Sequence, residues 1–271
     1  MRRFNYVLLI SIPFLAIGLA APQALRISGV YQTIGGVACL AMVISAWSLG
    51  AHSIRSGSEA KQLQALAGAL LMVPFALITL FWVGLGPPWV TTPAENRMRY
   101  LVLLAGSIAV TGGFTVLRDS LQDFGERVLS ALAFSANLLA GTAYLVWLAF
   151  MVGVYVVRVQ TGQTAPAVQA MVAANDFTLS LACWLTYLTT AAFAASLGRA
   201  RLLSVASSRV FVTIALAALL MISVGILATP DPTSGSTPWY LQPGFVVGIP
   251  AIPWIMPYLI GVVLLRRAGE P

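Results

Sequence analysis

The segment "VLSALAFSANLLAGTAYLVWLAFMVGVYVV", Val128 to Val157, runs for 30 residues without a charged side chain. About 20 apolar residues in a helix are enough to cross the roughly 30 Å of hydrocarbon in a bilayer. The segment lacks the alternation of apolar and polar residues that strands of a membrane barrel show. A helix also satisfies its backbone N–H and C=O groups within the segment, which lipid requires. The segment therefore predicts a membrane-spanning helix, longer than a bilayer needs.

The rest of the chain has the same character. It is 59% hydrophobic and 8% charged, whereas soluble domains average about 45–50% apolar and about 25% charged residues. We predict an all-α fold: a polytopic integral membrane helical bundle of eight transmembrane helices, forming a single membrane domain over residues 1–271. The predicted spans are Tyr6–Ala21, Val30–Gly50, Leu63–Leu85, Tyr100–Leu117, Val128–Val157, Phe177–Leu197, Val210–Ala228 and Val247–Leu265.

The positions of the basic residues predict the orientation, because cytoplasmic loops carry an excess of Lys and Arg. With the N-terminus inside, 11 of the 15 basic residues lie on the cytoplasmic side and four on the outer side. The outer four are Arg26, Arg97, Arg99 and Arg158. We therefore expect both termini in the cytoplasm of a multi-pass protein of the bacterial inner membrane. The net charge of +7 mostly reflects this topological bias, and we expect the basic segment Arg199–Arg209 to contact anionic lipid. Nothing in the charge indicates a nucleic-acid partner.

The first span has an alternative interpretation as a cleaved signal peptide. Residues 1–21 combine two arginines, an apolar stretch and the small residues Gly18 and Ala20, as signal peptides do. Pro22 makes a poor cleavage context, so we favour a retained helix. Cleavage would leave seven spans without changing the orientation of the later loops.

A short pattern occurs twice and suggests a duplication. Pro-Trp-x-x-x-Pro is found at Pro88–Pro93 and again at Pro238–Pro243, in each case after a long apolar run. Spans two to four and six to eight start at matching intervals. This predicts two parallel four-helix repeats, residues 1–125 and 126–271, with room for a site between them. The alternative is chance, because Trp and Pro both favour membrane interfaces and loops.

Charge is missing from the predicted spans, which contain no Asp, Glu, Lys, Arg or His. Proton relays and ion-coupled carriers usually need such residues in the membrane. The single lysine, Lys61, lies outside the predicted spans, in a predicted loop, and His52 is the single histidine. Retinal attachment and histidine-cluster metal sites are therefore excluded. The residues identify no cofactor.

The candidate ligand-binding residues combine loop aromatics and arginines with polar groups inside the spans. Tryptophan rings in proline-rich outer loops could frame an outward mouth, and arginines there could receive an anionic headgroup. An amide or hydroxyl in lipid needs a partner. The alternatives are an aromatic belt and ordinary helix packing. The candidates are Trp89, Arg97, Arg99, Asn137, Tyr144, Tyr187, Trp239 and Trp254.

The last span carries three prolines, Pro250, Pro253 and Pro257. Each removes a helix hydrogen bond, so we expect a kinked, late-starting or broken helix. Broken helices form binding sites in transporters.

These features favour a permease or carrier for a neutral, lipophilic or amphiphilic small molecule that is not ion-coupled. A membrane anchor or accessory subunit of a larger complex is the alternative, because such a protein needs no site of its own. The charge-dense loop Arg118–Arg127 could then dock a protein partner. An enzyme is less favoured and would have to use the outer acids Glu95, Asp176 or Asp231. No nucleotide loop or nucleophile motif is present.

Overall fold

The computed structural model describes residues 2–20, 30–80, 91–161, 166–227 and 251–270, and every regular element in those ranges is helical. These ranges contain eight long helices, numbered α1 to α8 here. A π-helical turn at Trp47–Ala51 and a short helix at Ser53–Ser56 join α2 to α3. The long helices are Arg2–Ala20, Val30–Ala46, Glu59–Ile78, Pro93–Gln122, Val128–Thr161, Pro166–Arg199, Val205–Leu227 and Ala251–Ala268.

Six helices in the described part of the chain are long and apolar enough to cross a membrane. They correspond to α2 through α7, and the chain is therefore a multi-pass helical membrane protein. The qualifying segments are Gln32–Ser56, Glu59–Ile78, Pro93–Gln122, Val128–Thr161, Ala174–Arg199 and Val205–Gly225. The helices α1 and α8, with 19 and 18 residues, are not among them.

Several helices extend beyond the predicted spans, and α4 shows why. Thr92 and Glu95 form a capping box, in which the Thr92 N–H donates to Glu95 Oε2 at 2.7 Å and the Glu95 N–H donates to Thr92 Oγ1 at 3.3 Å. Pro93 occupies the first turn, where proline is favoured. The helix thus begins seven residues before Tyr100. The predicted spans ended at charged residues, whereas the helices continue through them and include Arg99 and Asp176.

The helices α3 to α7 follow one another as antiparallel neighbours, and α8 packs along α3. The closest approach joins Gly68 on α3 to Gly261 on α8. A Cβ at Gly261 would lie 2.7 Å from the Gly68 carbonyl oxygen, and one at Gly68 would lie 2.8 Å from the Gly261 carbonyl oxygen. Small residues allow such backbone contact in membrane helices. The helix α8 is largely buried, and both Tyr258 and Leu265 are fully inaccessible.

The prolines do not interrupt α8 over its described length. The helix is continuous from Ala251 to Ala268, with Pro257 inside it. Pro253 falls in the first turn, where a missing N–H costs no helical hydrogen bond. Within residues 251–270 the expectation of a broken helix is therefore wrong, while a late start remains compatible with it. Pro250 lies outside the described residues.

The end of α8 is held by side chains from other elements. Ser53 Oγ donates to the Ala268 carbonyl at 3.1 Å, Lys61 Nζ donates to the Glu270 carbonyl at 2.6 Å, and Arg2 donates to the Gly269 carbonyl. These contacts satisfy carbonyls that a helix end leaves without partners. Cationic groups at that position also interact favourably with the helix dipole.

The helix α1 is part of the same packing. Tyr258 on α8 donates its hydroxyl to the Leu9 carbonyl at 2.7 Å, and Leu9 and Ile12 are buried. These contacts tie residues within the signal-like segment to the interior of the bundle. Cleavage of that segment would remove them.

The two predicted halves pair their helices differently. In the first half, α3 and α4 pack closely, while α2 and α3 touch little. In a repeat, α6 and α7 would correspond to α2 and α3, yet α6 and α7 pack closely. The helices α7 and α8 would correspond to α3 and α4, yet they are not a well-packed pair. The described helix pairing therefore lends no support to a four-helix repeat.

Candidate functional site

The helix α5 presents an aromatic face to the interior of the bundle. Tyr144, Trp147, Met151 and Tyr155 recur at helical spacing, so they share one side, and each is buried. The last turns of α5 meet the first turns of α4 and α6, because neighbouring helices are antiparallel. We call this the Tyr155 end of the bundle. The opposite end, where α8 finishes, is the Glu270 end.

Three rings at the Tyr155 end form an aromatic cluster, defined here as Tyr100, Trp147 and Tyr155. Tyr100 stacks on Tyr155 with 5.3 Å between ring centroids and meets Trp147 edge to face at 5.6 Å. Both arrangements are favourable geometries for aromatic pairs. The cluster joins α4 to α5.

Polar groups surround the aromatic cluster. Trp147 Nε1 donates to Asp176 Oδ1 on α6 at 3.5 Å, and Asn175 Nδ2 donates to the Trp147 carbonyl at 3.2 Å. The Arg158 guanidinium lies over the Tyr155 ring at 5.2 Å, within the range of a cation–π contact. The rings therefore combine apolar faces with charged groups of both signs.

Arg99, which precedes Tyr100 on α4, is only 1% exposed. Its NH1 group donates to Asn96 Oδ1 at 3.1 Å, and the same oxygen accepts from Thr91 Oγ1 at 2.9 Å. Arg99 is also close enough to Tyr100, Tyr155 and Glu95 to interact with them electrostatically. Burying a guanidinium costs several kcal/mol unless hydrogen bonds compensate. Arg97, the other arginine predicted for the site, is partly exposed.

Asn137 and Tyr144 link helices in the middle of the bundle. Asn137 Nδ2 donates to the Thr111 carbonyl on α4 at 3.0 Å. The Tyr144 hydroxyl lies 3.3 Å from Thr186 Oγ1 and 3.6 Å from Cys183 Sγ on α6. Interhelical hydrogen bonds of this kind belong to ordinary helix packing, which was the alternative to ligand binding for these residues. Tyr187 is buried on the same helix as Thr186.

A small cavity lies between these helices, and its volume limits what it can hold. It measures about 10 Å³ and is bordered by Asn137, Tyr144, Thr186 and Thr189 among others. One water molecule needs about 10–15 Å³ on this scale. A solute therefore does not fit beside Asn137 in this conformation.

Of the three tryptophans predicted for the site, Trp254 lies within the described residues. Trp254 is 1% exposed and meets the Tyr144 ring edge to face at 5.4 Å. It belongs to the interior of the bundle, where α4, α5 and α8 meet. Trp89 and Trp239, predicted to frame an outer mouth, lie outside the described residues.

The structure thus places Arg99 near Tyr100 and Tyr155, and Tyr100 in turn contacts Trp147, which is bonded to Asp176. Of these four residues, Asp176 alone had been named from the sequence, as a possible acid of an outer enzyme site. The signal for the two on α5 was available, because they follow Tyr144 at helical spacing. Tyr100 and Asp176 lie at the boundaries of their predicted spans, and Asp176 had been assigned to a loop. Only the helix extensions show that these residues meet.

The Arg118–Arg127 segment, predicted to be a loop, is helical in its first half, because α4 continues to Gln122. Part of the segment also makes contacts within the bundle. Arg118 lies over the Phe134 ring at 4.4 Å, Glu126 Oε1 accepts from the Leu129 N–H at 3.0 Å, and Glu126 pairs with Arg199 at 3.7 Å. The first contact joins α4 to α5, the second caps the start of α5, and the third joins that start to the end of α6. Other charges of the segment remain exposed, namely Asp119, Asp123 and Arg127.

Both cysteines, Cys39 and Cys183, are free thiols. Among the described residues, no three His, Cys, Asp or Glu side chains are grouped so as to hold a metal ion. Comparison with protein-family models, curated proteins and solved structures finds no match to this chain.

Proposed function

We propose that this protein is a permease or carrier for a lipophilic or amphiphilic small molecule, and that the aromatic cluster with Arg99 recognises that molecule. The observation that carries the proposal is the burial of Arg99, which is 1% exposed and lies near Tyr100 and Tyr155 of the aromatic cluster. Ionisable residues inside membrane bundles are costly and usually functional. Asn137 becomes less suitable as a solute contact, because its cavity has room for about one water molecule.

The chemistry of the cluster suggests how such a molecule would bind. The apolar ring faces of Tyr100 and Tyr155 would pack against its hydrocarbon or aromatic body. Arg99 and Arg158 would hold a polar or anionic head, and Asp176 would exclude heads of higher negative charge. Recognition would thus depend on an amphiphilic ligand rather than on a free ion.

The proposed topology has eight crossings, with α1 and α8 completing the bundle and both termini in the cytoplasm. This orientation is supported by the basic residues, of which 11 would lie on the cytoplasmic side and four on the outer side. The Tyr155 end then faces outward, in the bacterial inner membrane. A duplication of residues 1–125 and 126–271 stays a prediction that the helix pairing does not favour.

The proposal is tested by purifying the protein from its native membrane in a mild detergent and identifying what co-purifies by mass spectrometry. A carrier should retain a defined small molecule, which should then exchange across proteoliposomes containing the protein alone. A stoichiometric protein partner and no exchange would instead establish the accessory-subunit alternative. The exposed residues Asp119, Asp123 and Arg127 would then be the first interface to mutate.

A further inference from the structure

A cleft lies at the Glu270 end, at the opposite end of the bundle from the aromatic cluster. There α1, the π-helical turn and the end of α8 enclose an open cleft of about 470 Å³. This volume falls in the range of small-molecule sites, roughly 300–1,000 Å³. The residues that line the cleft are Arg2, Arg3, Tyr6, Val7, Leu49, Arg266 and Glu270.

The cleft is basic. Three guanidinium groups face one carboxylate, so its lining carries a net charge of +2 when Glu270 is ionised. That carboxylate is shared, because Glu270 lies 3.6 Å from Arg266 and 3.2 Å from Arg267. Arginine presents a planar fork of donors that matches the oxygen atoms of a phosphate group. An anion is therefore the ligand that this lining favours.

Two of the arginines are held in position by other groups. Arg2 donates to the Gly269 carbonyl, and the Arg266 guanidinium lies over the Tyr6 ring at 4.8 Å. Positioned donors lose less conformational entropy on binding than free side chains. Arg3 is exposed at the rim, so it can close on a ligand without losing a structural role.

The walls of the cleft indicate where the ligand comes from. Val7 lines the cleft and is 60% exposed, and Phe4 is 69% exposed on the same helix. The first turns of α1 thus present an apolar surface that adjoins the basic cleft. Basic pockets between membrane helices bind the headgroups of anionic lipids. A free phosphate ion would use the arginines but not this apolar surface.

We propose that this cleft binds the phosphate headgroup of an anionic membrane lipid, with the acyl chains lying along α1. The bound headgroup would bridge Arg3 on α1 and Arg266 on α8 and so fasten α1 to the bundle. This inference is independent of the proposed carrier function, because it concerns the opposite end of the molecule and needs no movement of solute.

Native mass spectrometry and thermal unfolding in detergent, with added phosphatidylglycerol, phosphatidylcholine or inorganic phosphate, test the proposal. The wild-type protein should retain phosphatidylglycerol and be stabilised by it. It should not retain phosphatidylcholine or be stabilised by it. Arg3→Gln should weaken phosphatidylglycerol binding about tenfold, the usual order for one charge-assisted contact. Arg3→Lys should bind with intermediate strength, which guards against a folding defect.

Two further variants serve as controls. Arg209→Gln removes an exposed arginine from α7 at the same end of the bundle, and its lipid binding should equal that of the wild type. Glu270→Gln removes the carboxylate from the cleft and should tighten binding. Equal losses in Arg3→Gln and Arg209→Gln would overturn the proposal, as would equal retention of the two lipids. If inorganic phosphate displaced the lipid completely at a similar concentration, the cleft would be a phosphate site and not a lipid site.

Discussion

At the scale of single residues, two threonines on α6 show how closely the bundle depends on hydroxyl partners. Thr186 donates to the Ala182 carbonyl at 2.8 Å and lies 3.3 Å from the Tyr144 hydroxyl. Thr189, one turn away, is 1% exposed, and its hydroxyl finds no hydrogen-bond partner among the described residues. A buried polar group without a partner costs free energy, whereas a paired one is close to neutral or favourable.

Replacing each threonine with valine should separate the two cases. Thr189→Val should leave the free energy of unfolding unchanged or raise it by up to about 1 kcal/mol, because the buried hydroxyl is removed. Thr186→Val should lower it by about 0.6 kcal/mol, the average for an interhelical hydrogen bond in a membrane protein. Denaturation in mixed micelles measures both. A larger loss in Thr189→Val than in Thr186→Val would contradict this account.

At the scale of helices, the contact between α3 and α8 depends on two glycines that let the backbones touch. A Cβ at Gly261 would lie 2.7 Å from the Gly68 carbonyl oxygen and 3.1 Å from Leu71 Cβ. Both neighbours belong to a packed helix and cannot move away cheaply. A Cβ at Gly153 on α5, by contrast, would meet nothing within 4 Å.

The variants Gly261→Ala and Gly153→Ala therefore form a matched pair. Gly261→Ala should destabilise the protein by about 1–3 kcal/mol, the usual cost of overpacking. Gly153→Ala should be neutral or stabilising by up to about 1 kcal/mol, because alanine is the better helix former. Thermal unfolding in one detergent compares them. Equal stability of the two variants would mean that α3 and α8 do not meet at Gly68 and Gly261.

Helix positions were more predictable from the sequence than helix contacts. Uninterrupted apolar runs such as Val128–Val157 predicted the helices, because lipid permits little else. The start of α4 after the capping residue Thr92 was harder to predict, because the predicted spans were ended at charged residues and not at capping residues. The meeting of Tyr100 with Tyr155, 55 positions later, depends on how α4 and α5 are paired and rotated. Apolar composition carries no information about that pairing.

At the scale of the whole molecule, the two ends of the bundle differ in chemistry. The Tyr155 end holds a buried arginine among aromatic rings. The Glu270 end holds a basic cleft and the side chains that cap α8. Under the proposed orientation the first end faces outward and the second faces the anionic lipids of the cytoplasmic leaflet.

This orientation predicts which positions a membrane-impermeant thiol reagent reaches. Starting from Cys39→Ala and Cys183→Ala, which remove both free thiols, one cysteine is added as Thr161→Cys or Asp123→Cys. Both positions are exposed, at the end of α5 and after α4 respectively. Thr161→Cys should react in intact spheroplasts, and Asp123→Cys only after the membrane is permeabilised. The reverse pattern would show that the termini lie outside.

Arg99 and the aromatic cluster are proposed to recognise a small molecule. The most direct measurement compares the amount of co-purifying small molecule retained by the wild type, Arg99→Gln and Arg97→Gln, all eluting as folded protein. Arg97, partly exposed and two positions away, controls for loss of charge. Arg97→Gln should retain the wild-type amount, and Arg99→Gln should retain less, because its affinity should be about tenfold weaker. Equal retention by both variants would contradict this proposal.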